Sequence, residues 1–453
     1  MPLNGSEQAM RASYPNVRDP VSAPKSAGDA AYIASAAFAL WRETALNARL
    51  RILRRFLRGF TGALPEILHL MRDRPASTVL VAEILPLLSA CRFLLTDARR
   101  ILSPGTLSLL GRPLWLAGVT SRVERRPLGT ILILAPGNYP LMLAGIQTLQ
   151  AIVAGNTVIL KPAPGRTALL SLFLTLLRRA GLPGGVVTLL QEDAGADACA
   201  RRHDLIILTG GRETGRKVAA AAAATLTPTI MELSGADPVF VLPDADLSRV
   251  ARALCFSALL NRGETCIAPR RVFIDKHAVP RLVEQLRCLL GDRIEDEGPF
   301  PPGLESLRAR VAQTGGDVLS LGQIHIFCLD AAHADLADLD LFAPWFAIIG
   351  VSSMDEAVAL DERAEHCLGA SIFGPEEAAN ALAGRIQAGT ITINDVIVPS
   401  ADPRLPFGGA KQSGYGVTRG IEGLRALTRP VSVSVRRRFA FHLLPAGFRS
   451  ARG

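Results

Sequence analysis

From Leu128 onward, the chain alternates short apolar runs with helical stretches, and this alternation restricts its fold more than any other feature. Strand-like runs lie at 130–135, 156–160, 186–190, 205–208 and 229–233. Stretches with helical spacing separate them, notably at 166–180 and 213–225. Apolar strands that alternate with helices are typical of a parallel, doubly wound sheet. The pattern therefore predicts an α/β fold, and ligands bind such sheets at the carboxyl ends of the strands.

A second α/β unit follows Asp237, and a helical segment precedes the first unit. The strand-like runs of the second unit lie at 238–242, 270–275, 346–351, 370–373 and 390–394, and its helices at 247–260, 278–290 and 303–314. Residues 30–102 repeat apolar side chains every three or four positions, which is typical of amphipathic helices. Because a chain of 453 residues exceeds what one core accommodates, we predict more than one domain.

The remaining segments predict a small β element. Residues 111–126 shift toward strand-like alternation, and valines alternate with serines at 431–435. We therefore divide the chain into a first domain of 1–110 and 127–233, a second domain of 234–428, and a β element of 111–126 and 429–453. The alternating strand favours an edge used in subunit assembly. The arginines and phenylalanines at 436–441 leave contact with an anionic membrane surface open.

Composition argues against several classes of function. The net charge is +9, but only five of the 50 basic residues are lysines and no basic stripe carries interleaved aromatics, so we predict no nucleic-acid partner. No apolar run reaches about 18 residues, so no membrane span is predicted. The N-terminus lacks an apolar signal core, which favours a cytoplasmic protein. The seven cysteines contain no CxxC pair, which argues against a disulfide framework or a metal site and fits a reducing compartment.

One of these cysteines, Cys266, stands in a polar turn between a helical run and an apolar strand. The turn at 261–271, NRGETCIAPRR, contains the asparagine, glycine and proline of irregular backbone. A thiol on a loop between two rigid elements is accessible and well aimed, as catalytic groups are. Its thiolate would attack a carbonyl and form a covalent intermediate. An ordinary structural cysteine fits the same composition, so the turn alone does not distinguish a catalytic cysteine from a structural one.

A glycine turn at 205–215, LIILTGGRETG, leads from a strand into a helix. Free N–H groups at the start of a helix suit a pyrophosphate, and glycines let the backbone approach it closely. The pattern is neither the dinucleotide fingerprint GxGxxG nor a P-loop. A plain strand-to-helix turn therefore fits the same residues.

Taken together, these stretches resemble the aldehyde dehydrogenase superfamily, especially its shorter, class-3-like members. The matching segments are PLGTILILAPGNYPL at 127–141, AGNTVILKPAP at 154–164, the glycine turn, MELSGADP at 231–238, NRGETCIAPRRVFI at 261–274, DLFAP at 340–344 and LPFGGAKQSGYG at 405–416. They follow the family's order between about residue 30 and residue 436, and such an ordered set is specific although one motif alone is not. The resemblance implies a Rossmann-like dinucleotide-binding first domain, a catalytic second domain, a β element for oligomerisation, and a homodimer.

The resemblance gives three residues catalytic roles. Cys266 would be the nucleophile toward a small-molecule aldehyde. Asn138 would donate its side-chain amide to the oxyanion, and one such donor contributes roughly 3–4 kcal/mol. Glu232 would be the base that activates water, a task that suits a carboxylate with a raised pKa at the end of an apolar strand. From the residues alone, Asn138 also fits a turn residue before Tyr-Pro, and Glu232 a buried partner of an arginine.

The resemblance also implies NAD or NADP as the cofactor. The residues it places around the cofactor are Lys161, Pro136, Gly210, Gly211, Gly215, Leu233, Asp340 and Phe342. Lys161 would contact the adenosine ribose, and Asp340 the nicotinamide ribose in place of a glutamate. Pro164 replaces a glutamate that favours a free 2′-hydroxyl, and Arg166 lies close in sequence, so both cofactors stay open. Gly137 replaces a bulky tryptophan and predicts a wider substrate channel.

The function that the resemblance implies is oxidation of an aldehyde to a carboxylic acid through a thiohemiacetal and a thioester on Cys266. Glu232 favours hydrolysis, because relatives that pass the acyl group to coenzyme A usually lack it. Two alternatives stay open. One is an acyl-transferring or reductive member of the superfamily, which an assay without coenzyme A would separate. The other is a catalytically silent relative that acts as a binding or structural protein, which a cofactor-binding measurement would separate.

Overall fold

The computed structural model describes residue 24 and the ranges 26–291 and 301–437. The start of the chain and most of the basic, aromatic cluster at 436–441 lie outside these residues, so the interpretations given for them stay predictions. Within the described residues, three larger sheets and one two-stranded sheet organise the chain.

The first sheet has six strands and supports the first α/β unit. Its spatial order is Gly414–Tyr415, Thr229–Glu232, Leu205–Thr209, Thr130–Leu134, Thr157–Lys161 and Val187–Leu189. All neighbours are parallel except the first pair. The helices that connect and cover these strands are Met142–Ala154, Thr167–Arg179, Gly195–Cys199 and Arg212–Ala224. Because helices cover both faces, the parallel strands of this sheet are mostly apolar and buried, as the sequence predicted.

The second sheet has seven strands and two cores, one on each face. Its order is Asp317–Leu321, Ile324–Asp330, Trp345–Val351, Pro269–Asp275, Asp237–Val241, Gly369–Phe373 and Thr390–Ile393. Only the first pair is antiparallel. The helices are Leu247–Leu259, Val279–Leu290, Pro302–Gln313, Met354–Arg363 and Glu376–Ala383, with 3-10 turns at Leu260–Gly263, Ala331–Ala337 and Val398–Ala401. The later helix Gly420–Ala426 packs on the first unit, against Leu85–Leu102 and Met142–Ala154. The parallel, doubly wound α/β class predicted from the sequence is confirmed for both sheets.

A small sheet joins the two segments predicted to form a β element. Its strands are Gly105–Thr106, Val119–Pro127 and Thr428–Arg436, and the two longer ones pair antiparallel over their whole length. The strand expected over 111–126 begins only at Val119, because a 3-10 turn at Leu114–Leu116 precedes it. The strand Gly414–Tyr415 extends the first sheet from within the predicted second domain, and the domain boundaries themselves stay a prediction. A further short pair joins His366–Cys367 to Ala410–Lys411.

The predicted helices before the first sheet are present. They are Ala27–Trp41, Leu46–Phe60, Leu64–Leu70, Ala76–Val79 and Leu85–Leu102, with a 3-10 turn at Thr61–Ala63 and a π-helical turn at Leu80–Ile84. The continuous stretch Ala76–Leu102 is long and apolar enough to cross a membrane by length and composition, which the sequence reading did not predict. Part of this stretch, including Leu87 and Leu94, is buried in the core of the first unit, and core helices meet the same criterion.

Candidate active site

A cavity of about 880 Å³ opens at the carboxyl ends of the first sheet. Four of its lining residues, Leu134, Lys161, Thr209 and Glu232, are the last residues of four adjacent strands. This is the edge at which an open parallel sheet binds ligands. The position of the cavity therefore follows from the strand order and needs no further assumption.

The cavity brings together ten of the eleven residues selected from the sequence. They are Pro136, Asn138, Lys161, Gly210, Gly211, Glu232, Leu233, Cys266, Asp340 and Phe342. Gly215 is the exception, and its expected place beside the cofactor phosphates stays a prediction. It lies buried beneath Leu233, so close that a Cβ on Gly215 would stand 2.8 Å from the Leu233 Cδ1. The glycine thus acts on the cavity only through Leu233.

A second cavity, of about 120 Å³, shares Glu232 and Cys266 with the first. Most of its remaining wall is apolar: Val81, Ala82, Pro86, Tyr139, Met142, Leu143, Phe256, Leu260, Ile267, Ile397, Val398 and Phe407. The two predicted reactive groups therefore lie where a large cavity meets an apolar one. Gly137 lines the large cavity and not the apolar one, so the channel widening attributed to it does not concern this apolar wall.

The Cys266 turn has the irregular backbone that its sequence predicts. Asn261, Arg262 and Gly263 all have positive φ, at 51°, 58° and 73°. At Gly263 no other residue fits, because a Cβ there would stand 2.1 Å from the Ala343 carbonyl oxygen. The turn therefore packs directly against the segment that carries Asp340 and Phe342.

A buried arginine, Arg270, holds this contact together. Its Nη1 donates to the carbonyl oxygens of Ala343 and Trp345, both at 2.8 Å, and its Nη2 donates to the Gly263 carbonyl at 2.5 Å. The guanidinium also lies over the Trp345 ring, 5.4 Å from its centroid. A planar donor fork with several fixed directions suits this arrangement of carbonyls. Arg270 thus joins the nucleophile turn to the other wall of the cavity.

The loop that carries Asn138 is bonded directly to the Cys266 turn. The Asn138 Nδ2 donates to the Glu264 carbonyl at 3.0 Å, and the Asn261 Nδ2 donates to the Asn138 carbonyl at 3.1 Å. Beside them, the Tyr139 and Thr265 hydroxyls share a hydrogen bond of 2.6 Å. The amide of Asn138 has a second N–H, and its residue lines the cavity with Cys266. The arrangement places an amide donor and the thiol in the wall of the same cavity.

A buried ion pair supports the same loop from behind, and the sequence motifs did not identify it. The Arg74 guanidinium donates to the Asn138 carbonyl and, at 3.1 Å, to the Gly137 carbonyl. Its Nη1 lies 3.5 Å from the Glu83 carboxylate, which accepts from the backbone of Met142 at 2.6 Å. Burial raises the pKa of Glu83 to about 8, while these contacts oppose the rise. Glu83, a lone charged residue within the apolar stretch 76–90, is the one sequence signal of this pair, and the sequence around Arg74 contains none.

Glu232 and Cys266 both lie in surroundings that disfavour their charged forms. Burial raises the pKa of Glu232, against the opposing effect of the Arg419 charge and a 3.2 Å hydrogen bond from the Thr418 hydroxyl. Burial also raises the pKa of Cys266, and the carboxylates of Glu232 and Asp237 raise it further, whereas Arg419 lowers it. The resting thiol is therefore protonated at neutral pH, and a carboxylate in the same wall is available to accept its proton.

The large cavity has the features that an anionic dinucleotide needs. The helix Arg212–Ala224 begins at the cavity, where Gly211 precedes its first turn and a Cβ on Gly211 would meet nothing within 4 Å. The first hydrogen bond of the helix backbone runs from the Gly215 N–H to the Gly211 carbonyl. The N–H groups of 212–214 therefore have no carbonyl partner within the helix, and such groups suit a phosphate. Lys161 and Lys217 add positive charge to the wall. The residues present therefore fit NAD or NADP.

Arg166, considered above for a 2′-phosphate, already has a partner. Its Nη2 lies 2.7 Å from an Asp73 carboxylate oxygen, and this contact lowers the pKa of Asp73. The positive charge expected near Pro164 is thus largely neutralised within the protein.

Comparisons with known proteins show which family and fold this chain resembles. A model of the aldehyde dehydrogenase family matches residues 17–292 and 326–433. The 4,4'-diapolycopene aldehyde oxidase of Methylomonas sp is 32% identical over 423 residues, which are 87% of this chain and 78% of that protein. The geranial dehydrogenase of Castellaniella defragrans is 29% identical over 343 residues, 70% of this chain and 71% of that protein. A crystal structure of a salicylaldehyde dehydrogenase from Pseudomonas putida G7 shares the fold, with a TM-score of 0.79, 23% identity, and coverage of 92% of this chain and 91% of that one.

Proposed function

Because the chain belongs to the aldehyde dehydrogenase family, whose members oxidise aldehydes with NAD or NADP, we propose that it converts an apolar aldehyde to the free carboxylic acid by hydrolysis. One observation carries this proposal. Cys266 and Glu232 lie together at the junction of a dinucleotide-sized cavity and an apolar cavity. A nucleophile and a base at such a junction face a cofactor on one side and an aldehyde on the other.

The chain's own residues divide the chemistry between them. Glu232 accepts the Cys266 proton, and the sulfur attacks the aldehyde carbon to form a C–S bond and an oxyanion. The Asn138 amide and the Cys266 backbone N–H stabilise that oxyanion. NAD or NADP, when bound in the large cavity, would supply the hydride acceptor for conversion of the thiohemiacetal on Cys266 to a thioester.

Hydrolysis of that thioester returns the enzyme to its starting state. Glu232, after releasing the Cys266 proton to solvent, takes a proton from a water molecule, the water oxygen bonds to the acyl carbon, and the C–S bond breaks. The proton then passes from Glu232 to the Cys266 thiolate, which restores the resting carboxylate and thiol. The sum is aldehyde, water and NAD(P)⁺ giving acid, NAD(P)H and a proton. The buried Glu232 is the reason we propose hydrolysis and not transfer to coenzyme A, since a base in the wall makes water a competent acyl acceptor.

The apolar cavity supports the substrate class. Apart from Glu232, Thr265, Cys266, Ser400 and Arg419, its lining residues are apolar or aromatic. The relatives named for diapolycopene aldehyde and geranial are named for apolar aldehydes as well. Burial of a hydrocarbon chain in such a wall contributes about 0.8 kcal/mol for each methylene group. We further propose a cytoplasmic homodimer, supported by the free state of all seven cysteines and by the exposed apolar residues of the small sheet.

The experiment is a comparison of variants in an assay that follows reduced nicotinamide at near-ultraviolet wavelengths. Apolar and polar aldehydes are tested with NAD and NADP, with and without coenzyme A. We expect Cys266→Ala to lose at least about a thousandfold in kcat, because no other group supplies the nucleophile. Glu232→Gln should lower kcat strongly as well, because Glu232 takes the proton of Cys266 and later that of the attacking water. Cys288→Ala, which removes an exposed thiol, is the matched control and should retain activity.

Three outcomes would contradict the proposal. Full activity in Cys266→Ala would remove the assigned nucleophile. Dependence of turnover on coenzyme A would replace hydrolysis by acyl transfer. Failure of the folded protein to bind either cofactor in a calorimeter would favour a silent relative.

A further inference from the structure

Arg419 is a buried cation in the wall of the apolar cavity, and its donors are poorly satisfied. The residue is 8% exposed. Its Nη1 donates to the Ser400 carbonyl at 3.4 Å, and its guanidinium lies over the Phe407 ring at 3.9 Å from the centroid. Its Nε has no hydrogen-bond partner, and no carboxylate among the described residues lies within 4.0 Å of it. A guanidinium has five donor N–H groups, and one hydrogen bond and one ring contact use only part of this capacity.

Glu232, in the wall of the same cavity, has an acceptor oxygen without a hydrogen-bond partner. It is 2% exposed, and its Oε2 accepts from the Thr418 hydroxyl at 3.2 Å. Its Oε1 is buried without a hydrogen-bond partner. Glu232, Arg419 and Cys266 all line the apolar cavity. An unpaired acceptor and an unpaired donor in one small cavity are both satisfied by a group that donates to the first and accepts from the second, and water does both.

We propose that Arg419 is a positioning residue for thioester hydrolysis, which holds the attacking water against the Oε1 of Glu232. This inference deepens the proposed function and rests on it. The water donates one hydrogen to Glu232 and accepts from Arg419, which leaves a lone pair for the acyl carbon on Cys266. In the step itself, the donated proton goes to Glu232, the C–O bond forms, and the C–S bond breaks to give the Cys266 thiolate. No redox partner enters this step.

The charge of Arg419 has a second effect on the same base. The charged and titratable groups around the pair are few: Arg419 and Cys266 interact with Glu232, and Cys266 is further influenced by Asp237 and Tyr139. Arg419 is the only cation among them, and its charge opposes the effect of burial on the Glu232 pKa. Loss of that charge leaves the burial effect less opposed. A larger fraction of Glu232 is then protonated at neutral pH and unable to accept a proton.

The test isolates hydrolysis from oxidation by loading the enzyme without cofactor. Cys266 is acylated with the p-nitrophenyl ester of an apolar carboxylic acid, the ester is removed on a desalting column, and decay of the acyl-enzyme is followed by intact-protein mass spectrometry between pH 5 and 9. Parallel samples receive hydroxylamine, a nucleophile strong enough to cleave the thioester without an activated water. Cys266→Ala shows that the acyl group is on the assigned thiol.

For Arg419→Gln we expect acyl-enzyme decay in water to slow by about tenfold or more, and the acidic limb of its pH profile to move up by about one unit. Decay with hydroxylamine should stay near the wild-type rate. Arg404→Gln, which removes an exposed, Asp402-paired arginine from the neighbouring loop, is the matched control and should match the wild type in both. Thermal unfolding of each variant checks that the fold is retained.

The outcomes separate this inference from the proposed function. If the wild type forms no acyl-enzyme on Cys266, the proposed function fails, and the inference with it. If the acyl-enzyme forms and Arg419→Gln hydrolyses it at the wild-type rate, only the inference is wrong. Equal slowing with water and with hydroxylamine would also overturn it, because that result indicates general damage to the site. If Arg419→Gln does not fold, Arg419→Lys takes its place, and we expect slower decay with the pH limb unchanged because the charge is kept while the fork is lost.

Discussion

The shape of the cofactor cavity depends on a single glycine that does not touch it. Leu233 forms part of the cavity wall, and the residue beneath it is Gly215, in the third position after the start of the helix Arg212–Ala224. A methyl group at Gly215 would approach both Leu233 Cδ atoms to within 2.9 Å. Since a leucine end is mobile, the expected response is a displaced side chain and not an unfolded helix.

Gly215→Ala should therefore weaken cofactor binding while leaving the fold intact. We expect the dissociation constant for NAD or NADP to rise by about three- to tenfold, with the thermal midpoint unchanged or higher, since alanine favours a helix interior over glycine. Gly59→Ala is the matched control, because it makes the same change in the helix Leu46–Phe60, outside the cavity lining, and a Cβ there meets nothing within 4 Å. Calorimetric titration of both variants gives the measurement. Equal affinities in the two would show that Leu233 does not shape the cavity as described.

At the scale of elements, the nucleophile turn is positioned by Arg270 and not by its own sequence. The turn has positive φ at Asn261, Arg262 and Gly263, a conformation that isolated L-residues disfavour. The carbonyl bonds from Arg270 are the contacts that fix it against the opposite wall. Because this guanidinium is 1% exposed and binds only carbonyl oxygens, its donors have no solvent to replace a lost partner.

Arg270→Lys should accordingly destabilise the protein and disturb the site together. A single amino group cannot serve three carbonyls in the directions of a planar fork, and we expect a loss of about 2–4 kcal/mol in the free energy of unfolding. The kcat should fall and the KM for the cofactor should rise, since Asp340 and Phe342 lie on the segment that Arg270 holds. Denaturant unfolding and steady-state kinetics measure both. Arg262→Lys, at an exposed position of the same turn, should change neither, and a similar loss there would contradict this role for Arg270.

The sequence predicted helices and strands well where the pattern of neighbouring apolar residues determines them. Apolar runs bounded by glycine or proline located the parallel strands to within a residue or two, because burial on both faces makes such strands apolar throughout. The hairpin Asp317–Leu321 with Ile324–Asp330 was not predicted, since Ser320 and His325 interrupt its apolar runs. Arg419 and Arg74 were not identified either. The residues that surround each arginine lie far from it in the sequence. Glu232, for example, accepts a hydrogen bond from Thr418, the neighbour of Arg419, across 186 positions. A local sequence pattern does not show such contacts.

At the scale of the whole molecule, the small sheet carries apolar side chains that its own chain does not cover. Leu110 is 91% exposed, Leu114 is 92% exposed and Trp115 is 75% exposed, and all three lie in the connection between Gly105–Thr106 and Val119–Pro127. A contiguous group of large exposed apolar side chains indicates a surface that another molecule covers. The sheet of three strands also ends in the long edge strand Thr428–Arg436, which pairs on one side only within the described residues.

We therefore expect the exposed leucines to form part of the proposed homodimer interface. In a twofold dimer each substitution acts twice, and removing an apolar leucine contact costs about 1.5–3 kcal/mol at each occurrence. The double variant Leu110→Ser, Leu114→Ser should raise the dimer dissociation constant by about a hundredfold or more, as measured by light scattering across a dilution series. Leu226→Ser changes a leucine that is 91% exposed on the first domain and serves as the control. A dimer that persists in the double variant would place the interface elsewhere. A wild type that is monomeric at all concentrations would remove the homodimer and leave an apolar or anionic surface, such as a lipid vesicle, as the partner to test against the same two leucines.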